Sequence, residues 1–235
     1  MGNYAVKKKR NLKEKIGLLL FLILIICIIY VAAMIIISPT EAESDAEYVR
    51  VKSDYVLSLL QCALGLIVMF IPSIIEKKIS IDIPDSMEIL YFTFLFSAIV
   101  LGEVRDFYYV IPYWDKILHA FSAGMLASLG FVLVAIFKKT ERLKYYLSPL
   151  YIALFSFCFA LTIGVVWEIY EYLADGLLSL NMQKYALADG TKLIGREALA
   201  DTMDDLIVDT LGALVITILG YFSLKKQEDR NQNSN

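Results

Sequence analysis

The chain reads as an all-α polytopic membrane protein, a bundle of six transmembrane helices, and three observations predict it. Of 235 residues, 58% are hydrophobic and 20% charged, where soluble domains run at about 45–50% and about 25%. The mean hydropathy is +0.62. The apolar residues are also gathered into six runs comparable with the roughly 20 residues that a helix needs to cross the hydrocarbon core. A soluble enzyme and a disordered chain are excluded on these grounds, and the length suits one compact domain.

The runs place the spans at 16–38, 55–75, 87–104, 115–137, 146–173 and 202–224. The first is almost purely Leu and Ile and follows Lys7-Lys8-Lys9-Arg10. It is longer than the roughly 7–15 residues of a signal-peptide core and no small-x-small cleavage site follows, so it reads as a retained helix. Residues 1–15 form a basic arm that lies against anionic headgroups, and 225–235 a polar, frayed cytoplasmic tail. Of the two longer outer segments, 39–54 is acidic and solvated. The other, 176–200, carries Leu177, Leu178, Leu180, Met182, Tyr185, Leu187, Leu193 and Ile194. That is too apolar for a free loop, so it lies on the membrane surface or covers a cavity. Cys27, Cys62 and Cys158 each fall inside an apolar run and read as small core hydrophobes, without disulfide or metal-ligand spacing.

Orientation follows from Lys and Arg. With the N-terminus in the cytoplasm, the inner segments hold 15 basic and 8 acidic residues and the outer ones 7 and 17, net charges of +7 and −10. Both termini are therefore expected in the cytoplasm of a multi-pass plasma-membrane protein, and the even number of spans agrees. The basic runs sit at membrane edges, which accounts for them without nucleic acid. Membrane lipids are the expected partners. Gly124 and Ser128 form a small-x-x-x-small pair that permits tight helix packing, compatible with a homo-oligomer, but it identifies no protein partner.

An Asp at the centre of a spanning helix costs about 2.5–3.5 kcal/mol on insertion, so such residues face a bundle interior and mark function. Three spans carry them. The fourth opens Trp114-Asp115-Lys116-Ile117-Leu118-His119, and Asp115 and His119, the only histidine, share a helix face. Ser122, Ala123 and Gly124 follow, small enough for close helix approach. The fifth ends with Trp167-Glu168-Ile169-Tyr170-Glu171-Tyr172, the two acids again on one face. The sixth opens at Asp201, and Asp201, Asp205 and Asp209 make an acidic stripe from which Asp204 is turned by about 100°. Capping explains part of this: Asp201 before Thr202 suits an N-cap, and Asp115, Asp204 and Asp205 suit a first turn. It does not explain Glu168 and Glu171 at a helix C-terminus, or Asp209 two turns into the bilayer. Trp114 and Trp167 read as interfacial anchors.

All three clusters fall at outer helix ends, so they are expected to meet in one outward-facing polar pocket of Asp115, His119, Glu168, Glu171, Asp201, Asp205 and Asp209. Uncompensated carboxylates repel and some must stay protonated. A divalent metal ion held by Asp115, His119, Glu168, Asp205 and Asp209 is one resolution, since carboxylates suit Mg, Ca or Mn and an imidazole also admits Zn or Fe. Protonation, as in a proton relay, is the other.

The order Trp-Asp-Lys-x-x-His, Trp-Glu-x-x-Glu and Asp-Thr-x-x-Asp-Leu-x-x-Asp-x-x-Gly-Ala, at Trp114 to His119, Trp167 to Glu171 and Asp201 to Ala213, resembles the YjdF-like family of six-helix inner-membrane proteins. More distantly it is similar to VanZ-like proteins. The resemblance covers roughly residues 87–221. It implies an integral membrane protein and groups Asp115, His119, Glu168, Glu171, Asp205 and Asp209 as one set. VanZ-like proteins are associated with resistance to glycopeptide and lipoglycopeptide antibiotics, but Glu168 and Glu171 stand where that family has Glu-x-x-Gln, and the phenotype is not carried over.

Three functions follow as expectations. The first is a metal-dependent enzyme or binding protein for a lipid-linked or envelope substrate, with His119 or Glu168 as general base. The second is a proton- or cation-coupled transporter; six helices without a visible inverted repeat is small for a carrier unless it dimerises, and no helix is plainly broken near the midplane, which weighs against it. The third is a non-catalytic envelope-stress or resistance factor in which the acidic stripe is structural.

Overall fold

The computed structural model describes residues 12–40, 50–80, 82–139, 147–178, 180–187 and 191–233. Residues 1–11 of the basic arm, 41–49 of the acidic segment, the basic pair Arg142 and Lys144, and Tyr146 lie outside the described residues. Among those described, the helices are α1 (Leu12–Ile37), α2 (Lys52–Val68), α3 (Ile71–Ile79), α4 (Asp85–Leu95) with a π-helical continuation (Phe96–Val104), α5 (Phe107–Val110), α6 (Trp114–Lys139), α7 (Pro149–Leu178) and α8 (Arg196–Asn233). The protein is all-helical, and six stretches are long and apolar enough to cross a membrane: α1, α2 with α3, α4 with its continuation, α6, α7 and α8.

The first half of the bundle is α1 to α4. α1 is apolar on every side and buries Leu20, Leu24, Cys27 and Val31, spaced by three and four, against α2 and α4. Within it, Lys13 turns inward. Its ammonium pairs with Asp85 at 3.0 Å and with Glu88 of α4. The second span is two helices. Pro72 has no N–H to offer the carbonyl of Val68 four residues back, and Tyr91 of α4 donates its hydroxyl to that carbonyl at 2.8 Å. The third span leaves α geometry at Phe96, and the wider bonding ends with Arg105 N–H on the Val100 carbonyl at 3.1 Å. The second and third spans thus each depart from one regular α-helix. At the opposite end from Lys13, Arg50 ties this half together. It donates to Ser58 Oγ at 2.5 Å, pairs with Asp106 at 3.2 Å and lies over the Tyr55 ring.

The second half is α6, α7 and α8, packed around Ala123, Ala127, Ala160 and Ala213. Small residues bring the backbones close: a Cβ on Gly212 would stand 2.6 Å from the Ala120 carbonyl oxygen. The halves join where α4 packs on α6, with Phe94 stacked on Phe121 at 6.3 Å. α8 is longer than its predicted span at both ends. It starts at Arg196, and it continues through the polar tail to Asn233 instead of fraying at 225, because no Gly or Pro stops it and pairs such as Lys225 and Asp229 are spaced for helical contact. Cys27 and Cys62 are buried, but Cys158 is exposed. It lies two residues, about 200° of helix rotation, from both Ser156 and Ala160, which carry the buried face of α7.

Between α7 and α8 the chain folds back over the bundle end. Of the apolar residues in this segment, Leu180 is buried and residues 182–184 contact α2, α6 and α8, while Leu177, Leu178, Leu187 and Ile194 are exposed.

Candidate functional site

α6 and α8 start at the end of the bundle where α7 finishes, so the three polar clusters meet there. Lys116 of α6 reaches across to α8, donating to Asp201 Oδ1 and Asp205 Oδ1, each at 2.8 Å. One turn further in, His119 places Nδ1 3.3 Å from Asp209 Oδ1. Its Nε2 faces Asp205 Oδ1 at 3.7 Å and Asp115 Oδ1 at 4.0 Å. Asp205 and Asp209 are buried while Asp204 is exposed, as the four-residue period requires. Because α8 starts at Arg196, Asp201 lies in its second turn and is not a cap. Asp115 also serves a neighbour: Lys184, from the segment after α7, donates to its Oδ2 at 2.6 Å.

α7 supplies the remaining acids. Glu171 is buried and accepts the Trp167 indole N–H at 2.9 Å, so Trp167 is a hydrogen-bond donor to the site as well as an aromatic at the helix end. Asp175, one turn on, accepts the backbone N–H groups of Met182 at 2.7 Å and Gln183 at 3.0 Å. Glu168 differs from both. It is only 5% exposed, and neither carboxylate oxygen is in a well-formed hydrogen bond among the described residues, the Thr202 hydroxyl being the neutral donor beside it. Its charged neighbours are Asp205, His119 and Asp201, so it points into the cluster. Gly164, one turn earlier, leaves room for Asp209, whose Oδ2 would lie 2.5 Å from any Cβ at that position.

All seven predicted pocket residues therefore stand at this end of α6, α7 and α8. Of the five considered as metal ligands, Asp115, His119 and Asp205 offer ligand atoms within 4.8 Å of one another. Asp209 is on the other ring nitrogen of His119, and Glu168 stands outside that trio. Sequence reasoning missed the lysines. Lys116 lies within the Trp-Asp-Lys-x-x-His run, and its contact with the acidic stripe was legible in principle. Asp175 also had a signal, since it follows Glu168 and Glu171 at helical spacing. Lys184, in an irregular segment, had none.

The lysines change the electrostatics. Burial alone would lower the Lys184 pKa, but the Asp115 and Asp201 carboxylates outweigh it and hold it above the usual lysine range. Tyr108, from α5, lies under this ammonium, 5.5 Å from ring centroid to Nζ. Burial pushes its phenol well above the usual range, and Glu103, Asp115, Glu171 and Asp205 push it further, so it stays a neutral hydroxyl. Glu103, at the end of the π segment, is a further acid beside Asp115 and Lys184. Even so, Lys116, Lys184 and His119 face seven acids, Glu103 included, so some of these must be protonated or offset by a further cation.

A family model described as "Predicted membrane protein (DUF2238)" matches residues 18–226, more of the chain than the motif-bearing part. A curated relative from Thermotoga maritima, described as an uncharacterized protein, is 30% identical over 153 residues, 65% of this chain and 70% of that protein. No solved structure matches the chain. Neither match supports the more distant likeness to VanZ-like proteins.

Proposed function

The chain belongs to the DUF2238 family of membrane proteins, and for this member we propose a divalent-cation site at the outer face of the plasma membrane, serving an enzyme that acts on a lipid-linked or envelope substrate. The observation that carries the reading is the setting of His119. With the Nδ1 proton given to Asp209, the Nε2 lone pair faces Asp205 and Asp115. The gaps of 3.7 and 4.0 Å are too long for hydrogen bonds and a few tenths of an ångström wider than the roughly 3.3–3.6 Å between tetrahedral ligands about 2.0–2.2 Å from one ion. A carboxylate on the far ring nitrogen is also how metal-bound histidines are oriented. Imidazole with two carboxylates suits Mn, Zn or Fe, and the ion reduces the charge deficit. With such an ion bound, Glu168 would be placed to serve as the general base for the water it activates.

The outward placement, with both termini in the cytoplasm, rests on the distribution of Lys and Arg. The YjdF-like resemblance of the three site-bearing runs supports reading them as one unit. The transporter reading gains two interrupted helices, but both lie outside α6, α7 and α8. The purely structural reading leaves Glu168 unexplained.

Elemental analysis tests the proposal. Detergent-purified protein reconstituted with Mn²⁺ is expected to retain the ion near stoichiometry and to lose it on His119→Ala or Asp205→Asn. A wild-type protein that retains none of Mg²⁺, Mn²⁺ or Zn²⁺ overturns it.

A further inference from the structure

The cation site already has a cationic visitor. Lys184 Nζ lies 2.6 Å from Asp115 Oδ2 and 3.8 Å from Asp201 Oδ2, and Asp115 is one of the three clustered ligands. The lysine arrives from outside the helices, on the strap Leu180–Leu187. Its backbone has φ of 46°, a left-handed conformation, at the end of the turn that Lys184 N–H closes on the Asn181 carbonyl at 3.4 Å. The rest of the strap is tied mainly to its own neighbourhood: Leu187 N–H bonds the Thr191 carbonyl and Leu193 N–H the Tyr185 carbonyl, each at 2.9 Å, beside the bridge of Ala186 with Lys192, and Gln61 of α2 reaches Met182 Sδ at 3.8 Å. Asp175 accepts two of the strap's N–H groups, Gln183 donates to Thr202 Oγ1 at 2.8 Å, and Asn181 closes the turn on Ala186 through bonds of 2.7 and 3.0 Å.

We infer that Lys184 is a built-in competitor for the cation: the ion and the ammonium exclude each other at Asp115, so that ion binding releases the strap and opens the site to its substrate. The inference rests on the cation reading above and adds its regulation. An ion on Asp115, His119 and Asp205 draws off the negative charge that holds Lys184 and repels the ammonium directly. By linkage, the bound ion loosens the closed strap by the same factor as the closed strap weakens the ion. The other cation, Lys116, is anchored on α6 and bonds Asp201 and Asp205, so it shifts only within its own helix. Lys184 is the one of the two that can leave with its segment.

The experiment is a Mn²⁺ titration of the full-length detergent-purified protein, with hydrogen exchange of the 180–187 segment followed in parallel. Lys184→Gln is expected to bind Mn²⁺ about tenfold more tightly than wild type, within the usual range of coupling between sites. Lys184→Arg should stay close to wild type. In the wild-type protein Mn²⁺ should speed exchange across 180–187. If Lys184→Gln proves unstable, Gln183→Ala loosens the same strap without touching a carboxylate and should tighten binding severalfold. Binding by wild type that is unchanged or weakened in Lys184→Gln and Gln183→Ala overturns the competitor and leaves the cation site standing. Absence of binding in every form overturns both.

Discussion

Gly164 of α7 sets the depth of Asp209 on α8: a Cβ at 164 would stand 2.5 Å from Asp209 Oδ2, while Oδ1 of the same carboxylate holds His119 at 3.3 Å. Gly164→Ala must therefore move Asp209 within a packed interface, at a cost of about 1–3 kcal/mol, and the His119 ring turns with it. Thermal unfolding in detergent should fall and Mn²⁺ affinity should weaken together. Gly176→Ala on the same helix, where a Cβ meets nothing within 4 Å, should leave both unchanged or slightly raise stability. Equal behaviour of the two variants would show that the glycine carries no weight.

Tyr91 compensates for Pro72. Its hydroxyl occupies the Val68 carbonyl that the proline cannot serve, a place where water is scarce and an unmet acceptor is costly. Tyr91→Phe is expected to cost about 1 kcal/mol. In a Pro72→Ala background the helix can supply its own N–H, so the same substitution should cost much less. A double-mutant cycle on the unfolding midpoint reads the difference, and additivity would sink the explanation.

The helices and the acidic stripe were legible because they depend on period and length alone. Asp205 and Asp209 are buried and Asp204 is exposed, which a helical wheel predicts without any tertiary information. Asp115 and His119 were likewise paired by spacing. What stayed hidden depends on contacts distant in sequence. Lys184 finds Asp115 through an irregular segment with no period, and the π continuation over Phe96–Val104 has no breaker residue to announce it. Pro72 was visible, yet the apolar run through it concealed the break between α2 and α3. Cys158 looked like core because hydropathy does not distinguish a helix face turned to protein from one turned to lipid.

At the other end of the bundle, Lys13 neutralises Glu88, whose side chain is 5% exposed. Lys13→Met leaves that carboxylate buried with its partner gone. Breaking such pairs costs about 3–5 kcal/mol, and the partial exposure of Lys13, 19%, puts the expectation near the lower figure. Lys13→Met with Glu88→Met removes both charges and should recover most of the loss. Unfolding midpoints of the single and double variants decide it; a double variant as unstable as the single would show that the pair is needed for more than neutralisation.

Glu168 separates function from stability most sharply. A carboxylate that is 5% exposed with neither oxygen in a well-formed hydrogen bond is destabilising unless something offsets it, and among the described residues the Thr202 hydroxyl is the neutral donor beside it. Glu168→Gln keeps the shape, removes the charge and brings an amide that can donate toward the neighbouring Asp205. The metal-free variant should therefore unfold later than wild type, by about 1–2 kcal/mol. Its Mn²⁺ affinity should fall, because one of the negative charges facing the ion is gone, and any cation-dependent turnover should fall further through loss of the base. The two readings move in opposite directions, which a structural role cannot produce. A Glu168→Gln protein that is less stable than wild type and binds Mn²⁺ as well would mean that the carboxylate serves the packing of α7 against α8.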